Sequence, residues 1–461
     1  MGSWAGSVRV QAALAPVWET PRAPSRGAPA PPPPQRKVLH VHSQAPARAP
    51  RHVPALDGVR AIAVLTVLVA HGSVRLLGPE NRWGSGGLGV QIFFVLSGYL
   101  ITTLLLAEHR QHGRISLKDF YIRRGLRIWP LYYAVLLLYV VVLPRIDAGE
   151  FGNVYVSADR PGFDEWVGHW WAYAFFLQNY LTAVSEMKLG LGIFWSLAVE
   201  EQYYIFWPLV LIALLRLRRR FAVPAALLLV LVASTVARWL TLEGRLPEPA
   251  NPEWMLHTGL TGLVCGTLLA WLRHDQGHRT RGWADGLPGY VVAWMVLALV
   301  TLSTVPDSTT FGFRVTLARF DYYQPLLVGL LVATIIDRLV SVPSSGRLLA
   351  LPPLRYVGKI SYGMYLLHPL VLGFVTVRLT AEDGTRGGWV GMAVFVAATV
   401  AVASVSFYAF ERPILRFKSR FQRVGHDANP DATSGATPDG TPGGADAEKA
   451  QASAVRTRDH T

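Results

Sequence analysis

The hydrophobic residues of this chain are grouped in long blocks rather than alternating with polar ones. Between residues 52 and 423, apolar blocks alternate with short polar or basic segments. A helix of about twenty apolar residues crosses a hydrocarbon core about 30 Å thick, whereas a packed soluble helix keeps one polar face. The pattern therefore predicts an all-α, polytopic integral membrane protein. Its eleven apolar blocks lie near residues 56–77, 88–107, 128–144, 166–181, 194–215, 222–240, 255–272, 287–305, 322–340, 360–379 and 389–410.

The placement of Lys and Arg between the blocks indicates how many of them cross the membrane. Basic residues collect in cytoplasmic loops, and the basic segment after the second block places itself and the N-terminal arm inside. If the block at 166–181 crossed, the arginines at 216–220 and every later basic loop would lie outside. We therefore expect residues 166–181, rich in Trp and Tyr, to lie at the interface without crossing. The prediction is about ten transmembrane helices with both termini cytoplasmic.

Composition supports this class and limits the alternatives. Hydrophobic residues make up 51% of the chain and charged residues 16%, whereas soluble domains have about 25% charged residues. The formal net charge is +14, but short loops hold most of it, which argues against nucleic-acid binding. Cys265 is the only cysteine, and no Cys and His cluster has metal-ligand spacing. We expect a membrane domain at 52–423 between disordered cytoplasmic segments at 1–51 and 424–461.

The first predicted helix carries polar residues that are costly in a membrane. A charge at the centre of a span costs about 2.5–3.5 kcal/mol even on the mildest insertion scales, so such residues usually mark function. Arg60 and His71 are eleven residues apart, which puts them on one helix face to within about 20° and about 16 Å apart along the axis. Arg60 could instead be a cytoplasmic anchor and His71 a hydrogen-bonded core histidine. Their shared face favours a functional pair.

Two adjacent carboxylates, Glu200 and Glu201, lie inside the fifth block. Neighbouring helical residues point about 100° apart, so one carboxylate can face a cavity and the other a neighbouring helix. Glu200 is favoured for the cavity because it shares a polar stripe with Ser196. A carboxylate beside an imidazole orients the ring and raises its basicity. His71 is thus a candidate general base, and an acyl-histidine intermediate is the alternative.

Further polar groups are candidates for substrate binding. Three arginines at the cytoplasmic end of the third block suit the phosphates of a cytosolic donor such as coenzyme A, although basic residues also flank helix ends for topological reasons. Polar residues in the tenth block, and an Asp at the outer end of the ninth, could line a cavity, pack in the core or meet water. The candidates are Arg123, Arg124, Arg127, Ser361, Tyr362, His368 and Asp321.

Six segments follow one another in order along the chain: LDGVRAIAVLTVLVAH, GVQIFFVLSGYLIT, FYIRRGLRIWPLYY, FWSLAVEEQYYIFWP, GKISYGMYLLHPL and FYAFERP. With these segments the chain resembles the bacterial acyltransferase-three integral membrane family over nearly all of residues 52–423. The resemblance implies transfer of an acyl group, commonly acetyl, from cytoplasmic acyl-CoA to a hydroxyl of a surface glycan, lipid-linked sugar or antibiotic-type metabolite. It also implies that Arg60 and His71 are the essential pair and that the arginines at 123–127 serve the donor. Many relatives have an acid at the position of Gln91.

The resemblance also leads to an expectation about partners and location. Some relatives carry a C-terminal SGNH-type hydrolase domain, and we expect a stand-alone form that works by itself or with a separate SGNH-type protein. The prediction is a multi-pass acyltransferase of the bacterial cytoplasmic membrane, transferring groups other than aminoacyl groups, in contact with membrane lipid and without a metal. The alternative is a proton-coupled carrier or exporter of a glycan or lipid intermediate, since intramembrane His, Arg and Glu suit proton coupling. Carriers often show inverted repeats, and the two halves show none.

Overall fold

The computed structural model describes residues 52–78, 86–139, 169–184, 192–246, 254–275, 287–303, 320–379 and 387–421. Within these ranges all regular elements are helical, which confirms the all-α prediction, and ten helices have fifteen or more residues. Their bounds are α1 (Pro54–Gly72), α2 (Gly86–His112), α3 (Leu117–Leu137), α4 (Phe194–Arg216), α5 (Ala222–Leu242), α6 (Thr261–Asp275), α7 (Leu287–Ser303), α8 (Phe320–Ser341), α9 (Pro352–Leu379) and α10 (Gly388–Ser406).

Seven helical segments in the described ranges are long and apolar enough to cross a membrane. They are α1 with its π-helical extension to Leu77, α2, α4, α5, α8, α9, and α10 with its continuation to Leu415. This confirms the polytopic membrane class. Helices α3, α6 and α7 are not among the seven. The described parts of α6 and α7 have 15 and 17 residues, which is too short, and α3 has 21 residues but is not apolar enough. The count of ten spans and the cytoplasmic position of both termini therefore stay predictions.

The block at 166–181, predicted not to cross, is described from residue 169 onward. It contains two short helices, Trp170–Ala174 and Gln178–Val184, of five and seven residues. Both are far shorter than the roughly twenty residues that a spanning helix needs. The two Trp side chains of the first helix are exposed, while its backbone is held by α3, where the Tyr132 hydroxyl donates to the Tyr173 carbonyl at 2.8 Å.

Helices α2 and α6 pack with their backbones in direct contact. A Cβ at Gly98 would collide with the carbonyl of Leu263, and a Cβ at Gly266 would collide with the carbonyl of Val95. Small residues permit this close approach, which is a common source of helix association in membranes. The two glycines therefore fix the position of α2, the helix that carries Ser97, against α6.

A buried ion pair joins α6 to α8. The Arg273 guanidinium donates to the Asp337 carboxylate and, at 2.8 Å, to the Ser341 hydroxyl. Both charged side chains are at most 10% exposed. A buried charge is tolerated only when it is paired and hydrogen-bonded, and Arg273 meets both requirements. Arg273 also lines the cavity of the candidate active site.

Candidate active site

A cavity of about 960 Å³, named the central cavity, lies between α1, α2, α3, α4, α6, α8 and α9. Its volume is at the upper end of the roughly 300–1,000 Å³ typical of small-molecule pockets. The lining from helix ends on the predicted cytoplasmic side comprises His52, Arg110, Gln111, Arg273 and His274. The other polar residues of the lining are Asp57, Arg60, Ser97, Tyr99, Thr103, Arg124, Arg127, Ser196, Glu200, Tyr204, Ser361, Tyr362 and Tyr365.

Three of the predicted arginines meet at the central cavity. Arg60 of α1 and Arg124 and Arg127 of α3 all line it. The Arg60 guanidinium lies 3.7 Å from the Asp57 carboxylate one turn earlier. The Arg124 guanidinium lies 5.6 Å from the ring centroid of Tyr204, close enough for a cation–π contact. Three guanidinium groups that line one cavity suit an anionic ligand.

Arg123 takes a different position from its neighbour in sequence and is not part of the cavity lining. Its guanidinium lies 3.2 Å from the Glu108 carboxylate and donates at 2.6 Å to the backbone carbonyl of Phe421. The other Glu108 oxygen accepts from the Ser116 amide at 2.8 Å. Arg123 therefore ties α3 to α2 and to the C-terminal segment, and its substrate-binding role remains only a prediction.

The two adjacent carboxylates of α4 also have different surroundings. Glu200 lines the central cavity and accepts hydrogen bonds from the hydroxyls of Ser97 and Tyr204. Glu201 lies outside the lining, is 4% exposed, and accepts from Trp129 Nε1 at 3.1 Å. Glu200 thus lies where the polar stripe predicted it. Among the described hydrogen bonds, none joins either carboxylate to His71.

Helix α9 supplies a row of hydroxyl groups to the cavity wall. Ser361, Tyr362 and Tyr365 all line it. The Tyr362 hydroxyl donates to the Ile128 carbonyl of α3 at 2.7 Å, and the Tyr365 and Ser196 hydroxyls lie 2.7 Å apart. These bonds anchor α9 to α3 and α4. Ser361 and Tyr362, both predicted from the sequence, are therefore placed beside the cavity arginines.

His71 and His368 lie outside the cavity lining but contact each other. Their ring centroids are 5.1 Å apart with an interplanar angle of 37°. His368 is fully buried, and its ring centroid lies 5.9 Å from that of Tyr365, a cavity residue. The candidate site thus has two adjoining parts, the central cavity and the histidine pair (His71 and His368). Tyr365 links the two parts.

Some residues of the cavity lining were not predicted from the sequence to be site residues. The hydroxyls of Ser97 and Tyr204 donate hydrogen bonds to Glu200. In the sequence, the sign of such a role was that each is a polar residue inside an apolar helix. Arg110 lines the cavity and donates to the His274 backbone carbonyl at 3.0 Å. From the sequence, Arg110 indicated only the membrane topology, because basic residues commonly flank the cytoplasmic ends of transmembrane helices.

Two further predictions concern Asp321 and metal binding. Asp321 lies in the first turn of α8, but its side chain is outside the described part of the structure. Among the residues that are described, no three His, Cys, Asp or Glu side chains form a group that could hold a metal ion. Neither finding adds a residue to the candidate site.

Comparison with known proteins identifies the family. A family model described as an acyltransferase domain matches residues 53–410. Peptidoglycan O-acetyltransferase OatA of Listeria monocytogenes is 30% identical over 378 residues, which cover 79% of this chain and 56% of the relative. A Bacillus subtilis protein named "Putative peptidoglycan O-acetyltransferase YrhL" is 31% identical over 386 residues, covering 81% of this chain and 57% of the relative.

The chain therefore spans somewhat more than half the length of these curated relatives. No solved structure matches it. The family match reaches from the start of α1 to the end of α10, and the helices in between are those of a membrane domain. The chain is a multi-pass membrane protein that belongs to the acyltransferase-three family.

Proposed function

We propose that the protein is a membrane O-acyltransferase that transfers an acyl group, most simply acetyl, from cytoplasmic acyl-CoA to a hydroxyl of a cell-envelope glycan. The observation that carries the proposal is the position of the histidine pair beside an arginine-lined cavity. Helix α1 supplies both Arg60 and His71, and α9 supplies both Tyr365 and His368. The names of the two relatives, which mention peptidoglycan O-acetylation, support a glycan acceptor.

The central cavity is proposed to bind the donor. Guanidinium groups form short, paired hydrogen bonds with phosphate oxygens, and Arg60, Arg124 and Arg127 present three of them. Arg110 and His274 add donors at the cytoplasmic end. The apolar remainder of the lining suits the uncharged arm and acyl group of the donor. Phosphates bound near the arginines would place the thioester deeper, toward Tyr365.

The proposed chemistry is a direct transfer with His71 as the general base. The hydroxyl oxygen of the acceptor attacks the thioester carbonyl while His71 takes the hydroxyl proton. The C–O bond of the new ester forms, the C–S bond breaks, and the coenzyme A thiolate takes up the proton. Arg60 and its neighbours stabilise negative charge in the cavity. Glu200 is held by two hydroxyls, one of them from Tyr204, whose ring also contacts Arg124, and its charge helps to orient the polar groups of the cavity.

The test is acetyl transfer by the purified full chain in proteoliposomes, with radiolabelled acetyl-CoA and soluble peptidoglycan fragments as acceptor. We expect labelled ester on the glycan from the wild type and from Arg219→Ala, a change at an exposed arginine outside the cavity. We expect no product from a folded His71→Ala variant. Normal transfer by that variant would remove His71 from the chemistry. A wild type that turns over no acetyl-CoA but moves glycan across the bilayer would be a carrier, and the proposal would be wrong.

A further inference from the structure

The hydrogen bonds of the histidine pair determine which ring nitrogens carry a proton. His71 Nδ1 lies 3.0 Å from the Val67 carbonyl oxygen, and His368 Nδ1 lies 2.7 Å from the Tyr365 carbonyl oxygen. A backbone carbonyl can only accept, so each Nδ1 must carry the hydrogen of its bond. In a neutral imidazole the other nitrogen is then an acceptor. Both Nε2 atoms of the pair therefore carry a lone pair.

The Nε2 atom of His368 contributes no described hydrogen bond to the fold. The side chain is fully buried, and within the described part of the structure this atom has no hydrogen-bond partner. A buried polar atom without a partner costs about 1–3 kcal/mol, and such atoms in native proteins need a specific explanation. A core histidine kept for packing would leave this cost uncompensated.

The neighbour of this unpartnered nitrogen is the imidazole of His71. The two ring centroids are 5.1 Å apart, and His71 retains partial exposure while His368 has none. Gly86 also lies close to the ring, because a Cβ there would be 3.2 Å from His71 Cε1. Of the two imidazoles, only His71 is therefore accessible from outside the protein, and His368 is enclosed.

We propose that His368 is a positioning residue that stabilises the protonated form of His71. This inference rests on the proposed acyl transfer. When His71 Nε2 receives the hydroxyl proton, the lone pair on Nε2 of the neighbouring His368 ring stabilises the positive charge of the resulting imidazolium. The proton stays on His71 while the C–O bond forms and the C–S bond breaks. It then passes to the thiolate sulfur, and both imidazoles are neutral again.

The first experiment reads the protonation of the ring nitrogens without requiring activity. The full chain, labelled with ¹⁵N-histidine and reconstituted in lipid, is compared by solid-state NMR with His368→Gln, which identifies the His368 signals. The proposal expects a protonated Nδ1 and an unprotonated Nε2 in the resting protein. A protonated Nε2 at His368 would overturn it, because that nitrogen would then carry a hydrogen instead of the lone pair that stabilises the His71 imidazolium.

The second experiment separates positioning from structure by kinetics. A glutamine amide can still accept a hydrogen bond near the place of Nε2, whereas leucine cannot. We expect His368→Leu to lower kcat by about 100-fold, at the low end of the 10²–10⁴ range for acid–base groups, with KM for acetyl-CoA and thermal stability retained. His368→Gln should recover part of the loss, and the exposed His257→Gln should match the wild type.

The outcomes distinguish this inference from the proposed function. If the wild type transfers acetyl and His368→Leu is equally fast, the inference is wrong and the proposed function stands. Equal loss in the Leu and Gln variants, together with lower thermal stability in both, would indicate a packing role and also overturn it. A wild type without transferase activity would overturn the proposed function itself, and this inference with it.

Discussion

Replacing Arg124 by Ala should weaken donor binding and leave the fold intact. Arg124 lines the central cavity, and its guanidinium faces the rings of Tyr204 and Phe120 rather than a carboxylate. Hydrogen bonds to charged groups contribute about 1.5–3 kcal/mol each. Because each 1.4 kcal/mol corresponds to a factor of ten in affinity, the expected loss for acetyl-CoA is about 10- to 150-fold.

The adjacent Arg123 provides the contrast, because it should affect stability instead. It pairs with Glu108, and the two side chains are 15% and 2% exposed. Removing one partner of a buried pair costs about 3–5 kcal/mol, because the remaining charge is left in a poorly solvated place. The partial exposure of Arg123 favours the lower end of this range. Arg123→Ala should therefore unfold at a lower temperature but bind acetyl-CoA almost normally.

The assay is titration of acetyl-CoA into each detergent-purified variant, with thermal unfolding measured on the same samples. Arg219→Ala serves as the matched control, because it removes an exposed arginine that is not in the lining. Unchanged affinity in Arg124→Ala would refute the assignment of the central cavity to the donor. An equal loss of affinity in the Arg123 variant at equal stability would do the same, since it would show that net charge matters rather than position.

Three further predictions test other parts of the site. Glu200→Gln removes the charge that two hydroxyls stabilise, and should lower kcat by about tenfold, given about 1.5 kcal/mol for a charged hydrogen bond; unchanged kinetics would exclude a role. Gly86→Val crowds the His71 ring, and should reduce transfer to the glycan in the acetyl-transfer assay while acetyl-CoA binding is kept. Gly266→Leu collides with the Val95 carbonyl, and should destabilise the fold by about 1–3 kcal/mol, seen as a lower unfolding temperature or loss of expression.

Part of the site could be predicted because burying a charge in a membrane is costly. Arg60 and Glu200 stood out in apolar blocks, and the structure places both in the cavity lining. Helical geometry also distinguished Glu200 from Glu201 correctly, since the 100° step between neighbours sends only one toward the polar stripe. These predictions needed only the residue type and the local helix.

The remainder depends on contacts that no local pattern contains. Arg123 and Arg124 are adjacent and have the same side chain, so their sequence does not show which of them lines the cavity. The difference comes from Glu108 on α2, which forms an ion pair with Arg123 and leaves Arg124 in the cavity lining. The contact between His71 and His368 joins helices that are far apart in sequence. Whether α3, α6 and α7 cross the membrane stays a prediction, because the described parts of these helices are not among the seven candidate spans.

The glycine contact between α1 and α9 has a consequence for substrate exchange. A Cβ at Gly358 of α9 would collide with the Asp57 carbonyl of α1, so the two backbones touch and cannot slide past each other without separating. These helices carry Arg60 and the histidine pair, and they should behave as one rigid body. Helix α3 is tied to α9 by the Tyr362 hydroxyl, to α2 by Arg123 and to α4 by Trp129. We expect the donor and the product to pass without separating α1 from α9, so that the reacting groups stay in register throughout the cycle.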